Sequence, residues 1–230
     1  MTMARQVNFF AVGEYYHVYN RGTEKRLIFL DEADYTRFIS LLYLCNSSLS
    51  IHRSDYANTP LNILITLPRE KLLVDIGAYC LMPNHFHLLL HEHIEGGISI
   101  FMQKISTAYT MYFNKRYERN GSLFQGRFQA EHLSTDNYLK YIFAYIHLNP
   151  IGLIDGGWKN HSIKDKTKVY NHLSFYQFSS YLDYVDKNSR NPQGNIINKT
   201  AFPEYFLAPM DFKSYLQDWV DLAENVKVEP

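Results

Sequence analysis

Tyr79-Cys80-Leu81-Met82-Pro83-Asn84-His85-Phe86-His87-Leu88-Leu89 holds two apolar runs of strand length around a Met-Pro-Asn turn. Extended outward, Leu72 to Met82 and His85 to His93 read as the two arms of a hairpin. Residues two apart on a strand share a face, so His85 and His87 present their imidazoles to one side while Phe86 is buried on the other.

Upstream, Glu14 to Asn20 is β-branched and aromatic and stops at Arg21-Gly22, a first strand and turn. Asp31 to Cys45 opens on acidic residues and carries Leu30, Tyr35, Phe38, Leu41, Leu42 and Cys45 at helical spacing. Asn46 to Pro60 is polar and turn-rich, and Leu61 to Leu67 is a further apolar run of strand length before Pro68. Downstream, Ile98 to Tyr117 repeats apolar residues every three or four positions, and Leu123 to His132 returns as a strand. Thr135-Asp136 then caps a helix that reaches Asn149 before Pro150. The order β-α-β-β-α-β-α predicts an α+β fold, a ferredoxin-like antiparallel sheet with helices packed on one side.

On this reading residues 1–155 form the main domain, with 46–70 a loop or hairpin insertion, and 156–230 a mostly helical C-terminal extension. Asn188 to Asn198 is the best linker candidate, and Phe206 to Asn225 has the pattern of a last amphipathic helix.

Composition excludes several classes. With 230 residues, 46% of them hydrophobic and 20% charged, the chain can bury a core and is neither disordered nor fibrous. No run reaches the roughly 18 apolar residues of a membrane span, and the apolar stretch ending at Val12 is too short for a secretory leader, so a cytoplasmic protein without membrane contact is expected. Cys45 and Cys80 sit among apolar neighbours, as buried reduced thiols do. Lysine plus arginine balance aspartate plus glutamate at 23 each, but Phe101 to Ala130 carries Lys104, Lys115, Arg116, Arg119 and Arg127 against Glu118, a local basic face. Tyr112 to Tyr117 and Arg119 to Arg127 interleave aromatics with these cations, the mixture that grips phosphates and stacks on unpaired bases.

Two histidines complete no structural metal site, so the pair His85 and His87 predicts an open one, with water or substrate filling the remaining positions. His91-Glu92-His93 shares the spacing, but its charged centre and its place before Gly96-Gly97 assign the ion to the first pair. Tyr141, Tyr145 and Asn149 are four apart and form one helix stripe. If that stripe faces the histidines, Asn149 offers an amide oxygen as third ligand and Tyr145 comes within reach of the same ion. A phenol, with a reference pKa of about 10, needs a cation and a base to act as a nucleophile near neutrality. His132 and His147 are candidates for the base, His147 pointing off the stripe.

Five ordered stretches resemble the single-tyrosine HUH transposases, and most of all the REP-associated tyrosine transposases. They are Tyr16-His17-Val18-Tyr19-Asn20-Arg21-Gly22, Tyr79 to Leu89, Tyr109-Thr110-Met111-Tyr112-Phe113-Asn114, Gly121-Ser122-Leu123-Phe124-Gln125-Gly126-Arg127-Phe128 and Tyr145-Ile146-His147-Leu148-Asn149-Pro150. The resemblance covers about residues 12 to 155. It implies a ferredoxin-like catalytic domain that cuts and rejoins single-stranded DNA beside a hairpin, at palindromic repeats. By the same resemblance Tyr145 is the nucleophile and His85, His87 and Asn149 hold magnesium or manganese. Asn20, Arg21 and Arg26 contact the hairpin, with Arg127 as a further backbone contact. The chain departs from the family in the length of 46–70, in Gln177-Phe178 ahead of Ser179-Ser180, and in the tail after 185. A monomer acting in cis is expected, with a dimer left open. Two other functions fit the residues: a hairpin-binding regulator that does not cut, and a small-molecule metalloenzyme.

Overall fold

The structure, a computed structural model, describes residues 10–49, 56, 59–158, 163, 165–185, 190, 192–204 and 209–222. Four strands, β1 (Tyr15–Arg21), β2 (Val74–Met82), β3 (His85–Glu92) and β4 (Gln129–His132), form one antiparallel sheet in the order β2-β3-β1-β4. β1 and β2 run the same way with β3 between them, which is the split β-α-β arrangement of a ferredoxin-like sheet. The expected α+β fold is the observed one.

Between β1 and β2 runs α1 (Glu32–Leu44), started by Asp31, whose carboxylate accepts from the Asp34 backbone N–H. Between β3 and β4 runs α3 (Gly97–Arg116). Gly97 has to be glycine, because a Cβ there would stand 2.0 Å from the Leu73 carbonyl oxygen. Both helices cover the face of the sheet that carries Val18, Phe86 and Leu88, and Phe38 and Tyr109 meet against Phe29 and Phe86 in a fully buried aromatic cluster. Asp34 is sealed beneath them, accepting from Leu30 N–H, Tyr112 and Tyr117 hydroxyls and the Arg116 guanidinium.

The opposite face is covered as well, by α4 (Asp136–Leu148), capped by Thr135, and by segments of the C-terminal extension. α4 ends at Leu148 with Asn149 as its C-cap, just ahead of Pro150 as expected, and the chain keeps coiling. It passes into a 3-10 turn, Asn149–Leu153, with proline at the start where no N–H donor is needed. The extension contributes α5 (Lys166–Phe175), α6 (Tyr181–Val185) and α7 (Pro209–Leu222), mostly helical as expected.

Three sequence expectations need correction. Leu61 to Leu67 is no strand: Leu61–Leu64 is a short helix, α2, because Pro60 pre-sets the first turn and its carbonyl accepts from Ile63 and Leu64. Leu123 to His132 is strand only from Gln129, since Gly126 at φ +73° turns the chain and leaves Phe124 a single bridge to Gly22. The linker candidate, where described, is packed structure: Ile196 and Ile197 are buried and Asn198 N–H donates to the Ile76 carbonyl. Residues 186–189 and 191 lie outside the described ones, as do the ends of the expected last helix.

β2 is the outermost strand on its side of the sheet, yet all nine of its residues are buried. Its outer edge is closed by the extension: Leu81 N–H donates to the Phe178 carbonyl, Ser180 N–H to the Tyr79 carbonyl and the Tyr184 hydroxyl to the Gly77 carbonyl. Among the described residues no helix is long and apolar enough to cross a membrane.

Candidate active site

Register decides which side chains meet. β1 sets Tyr19 opposite His87 and Arg21 opposite His85, and β4 sets Glu131 opposite His17. The period of two then gathers His17, Tyr19, His85, His87 and Glu131 on the face under α4.

The two histidines stand together, with ring centroids 5.0 Å apart and rings at 86°. Each has its Nδ1 engaged, His85 by the Asn84 side-chain oxygen at 2.6 Å and His87 by His17 Nε2 at 2.9 Å. Tyr145 descends from α4 with its ring centroid 5.3 Å from that of His87, edge to face, and stacks on Trp158 at 5.7 Å. The Tyr141 ring stacks one turn earlier at 6.2 Å, so the two tyrosines of the expected stripe share one face of α4.

Two clefts meet at this point, and Tyr19, His87 and Tyr145 line both. The smaller, of about 600 Å³, is polar, with Asn20, Arg21, Lys25, Asn84, His85, Gln125 and Gln129. The larger, of about 1150 Å³, runs between α4 and α7 and is aromatic, with Tyr138, Tyr141, Tyr215 and Trp219 beside His17, Glu131 and Lys140. Glu131 accepts from the Tyr19 hydroxyl at 3.0 Å and the Tyr138 hydroxyl at 2.7 Å. The His17 imidazole, followed by these hydroxyls, holds its carboxyl down at about 2.

The remaining sequence candidates are spread out. Asn149 is buried at the end of α4 and lines neither cleft. Asn20 is buried, accepting from Arg21 N–H and donating to the Gly126 carbonyl, so it holds the turn beside the smaller cleft. Arg21 is paired with Gln125 in that cleft. Arg26 folds back on the Thr23 carbonyl, and Arg127 is exposed on the loop before β4. Lys115 is exposed at the end of α3, Arg116 is engaged by Asp31 and Asp34, and Arg119 bonds the Asn114 side chain; none of the three lines either cleft.

Both candidates for the base lie elsewhere. His132 pairs with Glu14 at 2.8 Å and lines neither cleft. His147 does point off the stripe, fully buried, and burial pushes its imidazole down to about 3. Its Nδ1–H donates to the Phe143 carbonyl and its Nε2 accepts from the Ser180 hydroxyl, both at 2.8 Å, so it fastens α4 to the extension. His17, Glu131 and Lys25 were not singled out from the sequence. The alternation Tyr-His-Val-Tyr that placed β1 already carried the signal for His17, since a histidine two before Tyr19 must share its face.

The two imidazoles fit a divalent ion with open positions: each has Nδ1 engaged by a neighbour, which leaves Nε2 as the ligating nitrogen. Among the described residues no group of three or more histidine, cysteine, aspartate or glutamate side chains is placed to hold a metal, so the protein supplies no closed cage.

Comparison with known proteins gives two findings. Residues 50–149, just under half of the chain, match the family model described as "Transposase IS200 like". The matched span contains His85, His87, Tyr145 and Asn149 and begins after β1. No curated protein matches. Among solved structures the chain is similar to one described as a REP-associated tyrosine transposase bound to a REP hairpin. The TM-score is 0.51 and the identity 14%, over 88% of this chain and 98% of that one. At that identity the likeness speaks to the fold, and at 88% of the chain it reaches well beyond the span matched by the family model.

Proposed function

We propose that this chain is a metal-dependent single-stranded DNA endonuclease and strand transferase acting beside a DNA hairpin, with Tyr145 as the nucleophile. One observation carries the reading: a tyrosine on a helix meets His87, which stands beside His85, where a polar, cationic cleft opens into an aromatic one. The family match over residues 50–149 and the hairpin-bound neighbour support it.

The Tyr145 phenolic oxygen attacks the phosphorus of the scissile phosphodiester, and a new O–P bond forms as the bond from phosphorus to the 3′ oxygen breaks. The phenolic proton ends on the departing 3′ hydroxyl, and the strand is left as a 5′-phosphotyrosine. A 3′ hydroxyl rejoins the strand by the reverse step, with no nucleotide cofactor. His85 and His87 would hold magnesium or manganese, with Asn149 the candidate for a third ligand; a bound cation would polarise a non-bridging phosphate oxygen and stabilise the leaving 3′ oxygen. Arg21 and Lys25 bind backbone phosphates in the smaller cleft, and Trp219 and Tyr138 offer stacking faces to unpaired bases in the larger. Arg26, Lys115, Arg119 and Arg127 extend the cationic surface to the hairpin stem, while Arg116 keeps α1 and α3 together. A cytoplasmic monomer acting in cis is the simplest arrangement, since one chain brings Tyr145 to His87 and His85.

The test is covalent capture. Full-length protein is incubated with labelled single-stranded DNA carrying a hairpin, with magnesium or manganese, and run on a denaturing gel. Wild type and Tyr141→Phe should form an adduct that Tyr145→Phe and His87→Ala do not. Hairpin binding by the wild type without any adduct in either metal would make the chain a regulator that does not cut.

A further inference from the structure

We propose that His17 is a positioning residue for His87: backed by Glu131, it fixes the imidazole tautomer in which His87 Nε2 carries the lone pair that would bind the ion. The inference rests on the reading that His85 and His87 bind a divalent cation.

The geometry is a row of three side chains from three neighbouring strands. His17 Nε2 lies 2.9 Å from His87 Nδ1, with stacked rings whose centroids are 5.1 Å apart. Both are buried, at 4% and 6% exposure, which makes a hydrogen bond between them costly to lose. His17 Nδ1 has no hydrogen-bond partner among the described residues, and the nearest charge to it is Glu131 Oε2 at 3.8 Å. That separation is too long for a hydrogen bond but short for a charge beside a ring dipole. Glu131 is itself fixed by the Tyr19 and Tyr138 hydroxyls.

One proton lies between the two rings, and it can be carried by either. If His17 Nε2 carried it, a neutral His17 would turn its Nδ1 lone pair toward the Glu131 carboxylate, and His87 would have its own proton on Nε2, where the ion should bind. If His87 Nδ1 carries it, His17 presents Nδ1–H to the carboxylate and His87 Nε2 is a lone-pair donor. The carboxylate therefore selects the ligating tautomer, through His17, without touching His87. His85 needs no such device, because the Asn84 side-chain oxygen accepts directly from its Nδ1.

Manganese affinity of the full-length protein, read from the loss of the free-ion electron paramagnetic resonance signal, tests this without reference to DNA cutting. Thermal melts accompany each variant. His17→Phe should weaken manganese binding roughly 10- to 100-fold. His17→Gln, whose side-chain oxygen can accept from His87 Nδ1–H, should restore it to within about threefold of wild type on the same scale. Glu131→Gln, a change at a half-exposed side chain, should weaken it between those limits. Unchanged affinity in Glu131→Gln, or a His17→Gln protein as weak as His17→Phe, would overturn the inference. If His87→Ala itself leaves manganese affinity unchanged, the metal site fails and the inference fails with it, which separates the two.

Discussion

His147 makes the acid stability of this protein a test of how α4 is held. Its imidazole is fully buried between the Phe143 carbonyl and the Ser180 hydroxyl, and burial lowers its pKa from 6.5 to about 3. A base whose folded pKa is depressed takes up its proton first in the unfolded chain. Its contribution is therefore complete above about pH 6.5 and declines as pH falls toward the folded value. Between pH 7 and pH 4 the linkage removes about 3 kcal/mol. Asp183 works in the opposite sense: burial raises its carboxyl to about 6, so the folded state gains about 2 kcal/mol over the same interval as that group is protonated. Wild-type stability alone would thus mix opposing contributions and prove nothing. The informative quantity is the gap between wild type and His147→Gln, measured by urea unfolding at both pH values, in which the Asp183 contribution cancels. That gap should close by about 3 kcal/mol on going to pH 4. A gap that stays constant would refute the claim that His147 is held neutral between α4 and the extension.

Asp34→Ala should cost about 3–5 kcal/mol in the same unfolding assay, because it leaves Arg116, Tyr112 and Tyr117 facing a buried void; a loss below about 1 kcal/mol would contradict the sealed carboxylate. Gly77→Ala would put a Cβ 2.5 Å from the Phe202 ring, which also packs on Tyr15, so a loss of about 1–3 kcal/mol is expected, read from the unfolding midpoint; an unchanged midpoint would show that the ring yields freely. Cys45 and Cys80 are buried and burial raises both thiols, Cys45 to about 12, so neither should react with iodoacetamide at pH 8 until denaturant is added, as mass spectrometry would show.

What the sequence discloses depends on the range of the interaction. Strand alternation in His85-Phe86-His87 and the four-residue spacing of Tyr141 and Tyr145 are properties of near neighbours in the chain, and both pairs share a face as their periods require. The short apolar run at Leu61 is the kind of segment whose periodicity cannot separate strand from helix, and Pro60 tipped it. His17 beside Glu131 is a matter of register between β1 and β4, which no local pattern encodes. Ser180 on His147 ties α4 to a residue 33 positions later in a tail that reads as a broken, polar stretch, a long-range contact that no local pattern encodes. Arg116 illustrates the converse: a cation in a basic stretch, it is balanced by acids that lie far back along the chain in α1.

The closed edge of β2 also sets an order of events during synthesis. Leu81 and Tyr79 leave the ribosome about a hundred residues before Phe178 and Ser180, which at translation rates of about 5–20 residues per second is roughly 5 to 20 seconds. Through that interval the nascent sheet can fold around β3 with one row of backbone donors and acceptors open to any other nascent strand nearby. The extension thus acts as a late-arriving seal, and crowding on a polysome becomes a condition this chain has to survive before its sheet is complete.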